Sequence, residues 1–389
     1  MEAIRVSDGV APERFDVIVV GGGQAGLAAG YHLARRGLSF VILDAHERVG
    51  DAWRRRWDGL RLFTAAKYDG LPGVPFPATP AALPTKDEVA DYLESYAAQF
   101  SLPVRGGIVV DSVRPVESGD GFVVSAGDLR FLAEQVVVAT GAYYSPRIPP
   151  FAGDLDPGIR QLHSSEYRNA SQLLPGAVLV VGASNSGAEI AMTAVREHHV
   201  ILAGRDTGKM PVRPEGRLAR LFDVPFWFFI NHIVRTDTWI GRKARPSVRD
   251  HGGPLERIWP ADLAAAGVER RTSMVAGASD GMPQLDDGTT AEVANVVWCT
   301  GFRPAFQWIH VPMRLEDGWP VHRRGVVAEV PGLYFIGLPF LFSAASALIG
   351  GVGRDAAHIA DRIARRASDH AVASDPGTTQ RITDSKVTG

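Results

Sequence analysis

The pattern of apolar and polar positions predicts two copies of one unit, in which a strand leads through glycines into a helix and then into a second strand. These elements occupy residues 15–20, 27–36 and 40–43 in the first copy, and residues 178–181, 188–198 and 200–203 in the second. Units of this kind open a parallel, doubly wound sheet. The chain is therefore predicted to be an α/β protein with two Rossmann-like dinucleotide-binding domains.

The rest of the pattern indicates how the two units are connected. Further strands are predicted at residues 122–125, 136–140, 296–300 and 333–337, and a last amphipathic helix at residues 355–366. Residues 69–85 hold five prolines and predict a loop over a surface or a site. Connections near residues 143–150 and 301–304 predict two crossings, which make the second domain an insertion in the first. The predicted boundaries are 1–145 and 301–370 for the first domain, 146–300 for the inserted domain and 371–389 for a flexible tail.

Composition excludes several functions. The 389 residues include 41 basic and 43 acidic side chains, so the net charge of −2 gives no electrostatic footprint for nucleic acid or an anionic membrane. Cys299 is the only cysteine, which rules out a redox Cys-x-x-Cys pair and favours a cytoplasmic location. The longest apolar stretch, residues 224–233, is too short to span a membrane, and no signal peptide is expected. Adjacent His198 and His199 point in different directions, so no metal site is predicted.

The first glycine turn has the spacing of a dinucleotide-binding motif. Gly21, Gly23 and Gly26 follow G-x-G-x-x-G directly after a strand and before a helix. Glycine there allows a tight turn and the approach of a pyrophosphate to the helix N-terminus. Asp44 follows Gly26 by 18 residues, at the tip of the second strand, where a carboxylate accepts hydrogen bonds from ribose hydroxyls. This turn predicts FAD binding.

The second turn keeps Gly182 and Gly187 but has Ser184 in the middle position. The residue 18 positions after Gly187 is Arg205, where the first unit has an acid. A carboxylate would repel the 2′-phosphate of NADPH, whereas a guanidinium can bind it in fork geometry. NADPH is therefore predicted here, with a solvated surface arginine as the alternative. Lys209 is a second candidate for the phosphate.

A segment between the two turns resembles the fingerprint of the class B flavin monooxygenases, F-x-G-x-x-x-H-x-x-x-(Y/F/W). The matching residues are Phe151, Gly153, His163 and Tyr167, although the gap from Gly153 to His163 is longer than in the short form. The resemblance covers about residues 14–366. It implies that the segment lies where the domains meet and helps to organise NADPH, with a linker in which His163 and Tyr167 merely pack as the alternative.

Other segments extend the resemblance. Residues 50–53 resemble the segment that covers the flavin in this family, and residues 57–63 resemble a stretch of the plant indole-pyruvate enzymes. Trp53 and Trp57 are equally compatible with ordinary core aromatics. Residues 139–141 and 299–301 resemble the two A-T-G turns that join the domains, which makes Cys299 a buried small residue rather than a nucleophile. Residues 333–337 and 343–347 resemble the returning FAD strand and the helix start at the isoalloxazine.

The motifs and the resemblance together give the candidate site. The predicted FAD contacts are Gly21, Gly23, Gln24, Ala25, Gly26, Asp44, Trp53, Val110, Ala139, Thr140, Gly141, Gly337 and Ala347. The predicted NADPH contacts are Gly182, Ser184, Asn185, Ser186, Gly187, Arg205, Lys209, Thr300 and Gly301. No catalytic side chain is assigned.

The resemblance implies the reaction of a monooxygenase. NADPH reduces FAD, the reduced flavin reacts with O2, and a C4a-(hydro)peroxyflavin transfers one oxygen atom to a small organic substrate. Likeness to the plant branch favours N- or S-oxygenation or decarboxylation of a 2-oxo acid over Baeyer–Villiger insertion. The alternatives are an NADPH-dependent flavin reductase or electron-transfer flavoprotein, and a non-catalytic nucleotide sensor. Residues 221–233 either line a hydrophobic entrance or pack in the core or at a homodimer interface.

Overall fold

The computed structural model describes residues 12–117, 120–216, 219–250 and 252–374, without the side chains of residues 220, 249, 250 and 371–374. Its strands are β1 (Glu13–Val20), β2 (Phe40–Leu43), β3 (Val104–Arg105), β4 (Ser112–Pro115), β5 (Phe122–Ala126), β6 (Leu129–Val138), β7 (Arg160–His163), β8 (Val178–Val181), β9 (Val200–Ala203), β10 (Glu269–Arg271), β11 (Val275–Ser279), β12 (Met282–Leu285), β13 (Asn295–Trp298), β14 (Leu315–Glu316), β15 (Trp319–Pro320) and β16 (Leu333–Phe335).

The helices connect and cover these strands. They are α1 (Gln24–Ala34), α2 (Asp51–Arg54), α3 (Lys86–Gln99), α4 (Asn185–Ala194), α5 (Ala219–Phe228), α6 (Trp239–Asp250), α7 (Pro260–Ala265) and α8 (Ile349–Ser374). A π-helical turn, Phe229–Ile233, continues α5. Short 3-10 turns occupy Ala66–Tyr68, Pro150–Asp154 and Ala170–Gln172.

The first sheet has the order β3-β2-β1-β6-β5-β4, with β16 also paired to β6. Strands β2, β1, β6 and β16 run parallel, whereas β5 and β4 form an antiparallel extension. The last four residues of β1 are fully apolar and buried, as expected for a parallel strand that is covered on both faces. On one face, α1 and α8 pack together through small and branched apolar side chains.

The second sheet has the order β10-β9-β8-β13-β7, and all its pairings are parallel. Strands β8, β9 and β13 are buried along their whole length. All five strands lie between residues 160 and 298, so this sheet stands within the chain that separates β6 from β16. The predicted fold class, α/β with a second Rossmann-like domain inserted in the first, is confirmed.

The two connections between the sheets run side by side. The N–H of Arg147 donates to the carbonyl oxygen of Gly301 at 3.0 Å, and the N–H of Arg303 donates to that of Ser145 at 2.8 Å. The two crossings therefore form a short antiparallel pair rather than two independent linkers.

Several predicted element bounds were wrong. Helices α1 and α4 begin at Gln24 and Asn185, inside the glycine turns, and α4 ends at Ala194 rather than at residue 198. Strands β6, β13 and β16 end at residues 138, 298 and 335, two residues earlier than predicted. Helix α8 runs from Ile349 to Ser374 rather than over residues 355–366, so residues 371–374 of the predicted tail are helical. Once a helix has formed, each further residue adds a backbone hydrogen bond without a new nucleation cost. Residues 375–389 of the predicted tail lie outside the described residues.

Among the helices that the structure describes, none is both long and apolar enough to cross a lipid bilayer.

Candidate functional site

The first glycine turn joins the end of β1 to the start of α1. Gly21 has a left-handed φ of 111°, and a Cβ there would lie 2.6 Å from the carbonyl oxygen of Ala139. A Cβ at Gly26 would lie 1.9 Å from the carbonyl oxygen of Gly21. Both distances are too short for non-bonded atoms, so the fold itself requires glycine at these two positions.

Gly23, the middle glycine, is not required by the fold. A Cβ at Gly23 would meet no protein atom within 4 Å, and its φ of −76° suits any residue. Gly23 directly precedes α1 and provides no side-chain cap for the first N–H groups of that helix. An open backbone at a helix N-terminus is what a bound pyrophosphate needs. The residues present therefore fit a dinucleotide.

Asp44 lies directly after β2 and faces the first turn. Its carboxylate accepts hydrogen bonds from the N–H of Gly22, from the N–H of His46 at 2.7 Å and from the His46 ring at 3.1 Å. Burial would raise the pKa of Asp44, but these hydrogen bonds outweigh it and hold the pKa below its usual value. Asp44, Gly23 and Trp53 share one narrow cleft.

Hydrogen bonds connect Trp53, which lines this cleft, with two other predicted FAD residues. The indole N–H of Trp53 donates to Oε1 of Gln24 at 3.4 Å, and Nε2 of Gln24 donates to the carbonyl oxygen of Ala347 at 3.5 Å. A Cβ at Gly337 would lie 2.7 Å from that of Ala25. The chain after β16 therefore returns to the start of α1. Ala347, which accepts from Gln24, lies two residues before α8 begins.

The residues after β6 complete this side of the site. The N–H of Ala139 donates to the carbonyl oxygen of Val20 at 2.8 Å, and Gly141 has a left-handed φ of 70°. The buried hydroxyl of Thr140 lies close to the phenol of Tyr144. Val110 lies apart from this cluster and packs against the apolar core that contains Val20.

The second turn repeats the geometry of the first. Gly182 has a φ of 106°, and a Cβ there would lie 2.3 Å from the carbonyl oxygen of Cys299. A Cβ at Gly187 would lie 1.8 Å from the carbonyl oxygen of Gly182. Ser186 is half-buried in the first turn of α4. The same two backbone approaches thus force glycine in both turns.

A loop that the sequence did not reveal lies against the second turn. The hydroxyl of Ser184 donates to the carbonyl oxygen of Gly253 at 2.8 Å, and Nδ2 of Asn185 donates to that of Pro254 at 3.0 Å. The N–H of Glu256 donates to Oδ1 of Asn185 at 3.0 Å. The two polar side chains of this turn are therefore held by the protein, in contrast to the open backbone at Gly23.

Arg205 is exposed and follows Gly204 at the carboxyl end of β9. Nη2 of Arg270, from the adjacent strand β10, donates to the carbonyl oxygen of Gly204 at 2.6 Å. Only the pairing of β10 with β9 places this second guanidinium there, so sequence reasoning missed it. Lys209 is exposed as well, and its Nζ lies 4.3 Å from the ring centroid of Trp259.

His163 ends β7 and contacts the second crossing between the sheets. Its Nε2 lies 3.0 Å from the carbonyl oxygen of Gly301, and its Nδ1 lies 2.8 Å from the Ser165 hydroxyl. Its ring packs edge-on against Phe302. Burial lowers the pKa of His163, so the neutral imidazole is favoured, with Nε2 donating to Gly301. These contacts give His163 a structural role, in which it connects β7 to the second crossing between the sheets.

The other fingerprint residues lie in separate environments. Phe151 and Gly153 are part of a 3-10 turn, and Phe151 packs edge-on against Trp298. Tyr167 is completely buried in another core cluster. The long gap before His163 thus corresponds to residues on two different elements.

The Cys299 to Gly301 turn resembles its counterpart after β6. Thr300 donates its hydroxyl hydrogen to the carbonyl oxygen of Arg147, and Gly301 has a left-handed φ of 79°. Burial raises the pKa of the Cys299 thiol to about 12, so it is unsuited to be a nucleophile.

Comparisons with known proteins agree with this duplicated architecture. Residues 18–220, more than half of the chain, match the pyridine nucleotide-disulphide oxidoreductase family. An uncharacterized CzcO-like oxidoreductase of Geobacillus kaustophilus is 38% identical over 353 residues, which cover 90% of this chain and 98% of that protein. The chain belongs to the pyridine nucleotide-disulphide oxidoreductase family. With Cys299 as its only cysteine, it lacks the redox cysteine pair that the family name implies.

Two further relatives indicate the branch of this family. A flavin-containing monooxygenase from Stenotrophomonas maltophilia has a TM-score of 0.70 at 29% identity, over 91% of this chain and 99% of that one. The rice indole-3-pyruvate monooxygenase YUCCA1 is 35% identical over 181 residues, which are 46% of this chain and 45% of that protein. The resemblance to class B flavin monooxygenases is confirmed, as are the enzyme class and, for the family, FAD and NADPH as cofactors.

A contact between the two domains lies near the second turn. Trp57, from the chain that follows the first unit, is buried in the core of the inserted domain. Its indole N–H donates to Oε2 of Glu189 at 3.1 Å, and Arg257 pairs with Oε1 of Glu189 at 3.0 Å. Burial raises the pKa of Glu189 to about 7, against the opposing effect of these two partners. Trp57 is therefore a buried anchor between the two domains.

Helix α5 rests on the first domain close to the start of α8. Trp227 stacks on Tyr68 with ring centroids 4.8 Å apart, and a Cβ at Gly350 would lie 3.0 Å from the Trp227 ring. Nη1 of Arg354 donates to the carbonyl oxygen of Asn231 at 3.0 Å. The opposite side is open, which excludes the alternative of a helix packed within the core of one chain. Its exposed apolar side chains are Leu221, Phe222, Val224, Phe226, Phe228 and Phe229.

Asp69, which follows Tyr68, is a buried acid that sequence reasoning did not single out. It accepts one hydrogen bond from the Thr64 hydroxyl at 2.6 Å, and its other carboxyl oxygen has no partner among the described residues. Burial raises the pKa of Asp69 to about 7. Nothing in the sequence of residues 69–85, the loop with five prolines, distinguishes Asp69 from an exposed acid.

Metal binding has no support in the described part of the chain, where no group of three His, Cys, Asp or Glu side chains is arranged to hold an ion.

Proposed function

We propose that this chain is an FAD-dependent monooxygenase that consumes NADPH and transfers one oxygen atom from O2 to a small organic substrate. The observation that carries the proposal is the pair of equivalent glycine turns whose second strands end in opposite charges, Asp44 and Arg205. A carboxylate suits the ribose hydroxyls of FAD, whereas a guanidinium suits the 2′-phosphate of NADPH. The first turn is therefore assigned to FAD and the second to NADPH.

In this proposal the open backbone at Gly23 binds the FAD pyrophosphate, and Asp44 orients the adenosine ribose. Gln24, Trp53 and Ala347 surround the isoalloxazine end, where the N-terminus of α8 favours negative charge on the reduced ring. The bound flavin supplies the redox chemistry. In this proposal Thr140, in the turn that follows β6, is a further contact of the cofactor.

For NADPH, we propose that the N-terminus of α4 binds the pyrophosphate and that Arg205 binds the 2′-phosphate. Arg270 and Lys209 add positive charge to the same domain. His163 and the Trp57 anchor fix how the inserted domain sits on the first, which sets the distance from nicotinamide to flavin. The domain boundaries near residues 145 and 301 belong to this proposal.

The proposed substrate is small and reacts by N- or S-oxygenation or, as a 2-oxo acid, by oxidative decarboxylation. The name of the rice relative, an indole-3-pyruvate monooxygenase, supports the 2-oxo acid class, and the name of the Stenotrophomonas relative states no substrate. The stack of Trp227 on Tyr68 beside α8 provides an apolar wall for such a substrate and keeps water away.

The test measures NADPH and O2 consumption and the fate of each oxygen atom in the purified, FAD-loaded enzyme. A monooxygenase consumes one NADPH and one O2 for each product, and with ¹⁸O2 one labelled atom enters the product while the other leaves as water. Stopped-flow mixing of the NADPH-reduced enzyme with O2 should show an oxygenated flavin species before reoxidation. Amines, thioethers and 2-oxo acids form the substrate panel.

The second candidate is an NADPH-dependent flavin reductase or electron-transfer protein. It predicts fast reoxidation without an oxygenated flavin species, and hydrogen peroxide equal to the NADPH consumed with every substrate tested. That result would overturn the monooxygenase proposal while leaving both cofactor assignments intact. A flavin that stays oxidised in the presence of NADPH would instead indicate a nucleotide sensor.

A further inference from the structure

A second cavity, of about 450 Å³, lies where the chain around α6 meets the segment that precedes β16. Its lining residues include Asp237 and Arg245 from the first of these segments, and Arg323, Arg324 and Phe342 from the chain on either side of β16. No residue of this cavity belongs to the cleft at Gly23 and Asp44. Its volume is in the range of small-ligand sites and far above that of one water molecule.

The cavity and its surroundings carry more positive than negative charge. Asp237 pairs with Arg235 through two hydrogen bonds of 2.8 and 2.5 Å, and Asp355 pairs with Arg354 at 3.3 Å. These pairs use the two nearby carboxylates. Within the described residues, none of the three cavity arginines, Arg245, Arg323 and Arg324, forms a salt bridge. Asp355 and Asp237 attract Arg324 only over a longer distance.

The positions of the guanidinium groups show that they are gathered rather than dispersed into solvent. The guanidinium carbons of Arg324, Arg354 and Arg235 lie 3.9, 4.9 and 5.1 Å from the ring centroid of Phe342. The Nε atoms of Arg324 and Arg245 are buried and have no hydrogen-bond partner in the described chain. Buried donors without acceptors are costly, and gathered cations repel one another.

We propose that this cavity is a binding site for a small anion that carries a carboxylate or a phosphate group. The oxygens of either group accept from several guanidinium donors at once, which satisfies the free Nε atoms and neutralises the repulsion. Leu341 and the ring of Phe342 provide an apolar contact for the carbon skeleton of an organic anion.

The bound anion would connect α6 with the segment that precedes β16. The N–H of Thr236 donates to the carbonyl oxygen of Phe342 at 2.8 Å, and Arg235 forms an isolated bridge with Ser343. Arg245 lies beyond this contact on α6, whereas Arg323 and Arg324 belong to the first domain. An anion held by arginines from both sides therefore stabilises the docking of α6.

The experiment uses the FAD-loaded enzyme with inorganic phosphate and malonate as probes. Calorimetric titration and thermal unfolding are measured at constant ionic strength set with NaCl, so that general screening is the same in every sample. Wild type should bind at least one probe and melt at a higher temperature in its presence. Failure of both probes to bind or to raise the melting temperature would overturn the proposal.

Variants locate the binding to this cavity. Arg324→Gln and Arg245→Gln should each weaken probe binding by about tenfold or more, because each removes charged donors. Arg114→Gln removes the same charge from an exposed position on β4 and should leave the affinity unchanged. Equal weakening by Arg114→Gln would overturn the proposal. Should Arg324→Gln fail to fold, as judged by circular dichroism, Arg245→Gln decides.

The source of the anion is distinguished by kinetics. If the natural occupant is the acidic group of the organic substrate, the better probe raises the KM of that substrate without changing kcat. If the natural occupant is a separate anion, the probe shifts the melting temperature while the KM of the organic substrate stays constant. Both results support the site, and neither depends on which reaction the enzyme performs.

Discussion

The middle glycine of the first turn allows a sharp test of how this turn binds FAD. Gly23→Ala adds a Cβ that would meet no protein atom within 4 Å, at a φ of −76° that alanine accepts readily. The substitution also reduces the conformational freedom of the unfolded chain. The cofactor-free protein should therefore be as stable as wild type or more stable by about 0.4–1 kcal/mol.

FAD binding should change in the opposite direction. The added methyl lies over the backbone that the pyrophosphate must approach, and we expect it to break at least one hydrogen bond from a backbone N–H to a charged phosphate oxygen. Such a bond contributes about 1.5–3 kcal/mol. The dissociation constant of FAD should accordingly rise by about 10-fold to 150-fold.

The assay is fluorescence titration of the deflavinated protein with FAD, together with urea unfolding of the same preparation. Gly26→Ala is the contrasting variant, because its Cβ would lie 1.9 Å from the Gly21 oxygen and should destabilise the fold itself. Gly153→Ala, where a Cβ also meets nothing, should affect stability in the same small way as Gly23→Ala and leave the FAD affinity unchanged. Wild-type FAD affinity in Gly23→Ala would refute the assignment of the pyrophosphate to this turn.

Three other predictions address the second domain and the buried acids. Arg205→Ala should weaken NADPH binding by about 10-fold or more and leave NADH binding unchanged in parallel titrations, whereas equal losses would exclude the 2′-phosphate role. Trp57→Phe keeps the apolar packing but removes the donor to Glu189, so the free energy of unfolding should fall by about 1–2 kcal/mol without loss of FAD; unchanged stability would contradict the anchor. Burial raises the pKa of Asp69 from 3.8 to about 7, so the folded state binds an extra proton between these values and wild-type stability falls as the pH rises through that window. Asp69→Asn should therefore be more stable than wild type at pH 8, by a few kcal/mol at most, and should lose this advantage near pH 4 in urea unfolding; a constant difference would show that Asp69 is already ionised.

The sequence predicted what depends on local chemistry. The spacing of Gly21 and Gly26 was recognisable within one β–α unit, and the same spacing revealed Gly182 and Gly187, although the close approaches at Gly21 and Gly182 are made to the chain after β6 and after β13. Buried parallel strands were recognisable as short apolar runs. The helix ends were less accurate, since no capping or stop signal in the residues from 368 to 374 indicates where α8 ends.

Contacts between distant parts of the chain were not predictable from one sequence. Trp57 and Glu189 are separated by 132 positions, and neither residue has a neighbour pattern that indicates its partner. Arg270 reaches the end of β9 only because β10 pairs with that strand. The loop on Ser184 and Asn185 likewise depends on tertiary packing that has no periodic signal.

The insertion of one sheet within the other has a consequence for biosynthesis. The inserted sheet obtains every strand from a continuous stretch, residues 160–298, whereas the first sheet lacks β16 until residue 335 has been made. Helix α1 is synthesised early, and its apolar face stays uncovered until α8 has been made. On the ribosome the inserted domain can thus be completed while the earlier domain is unfinished. We expect the flavin domain to be the last part to fold and the part that most needs protection from aggregation during synthesis.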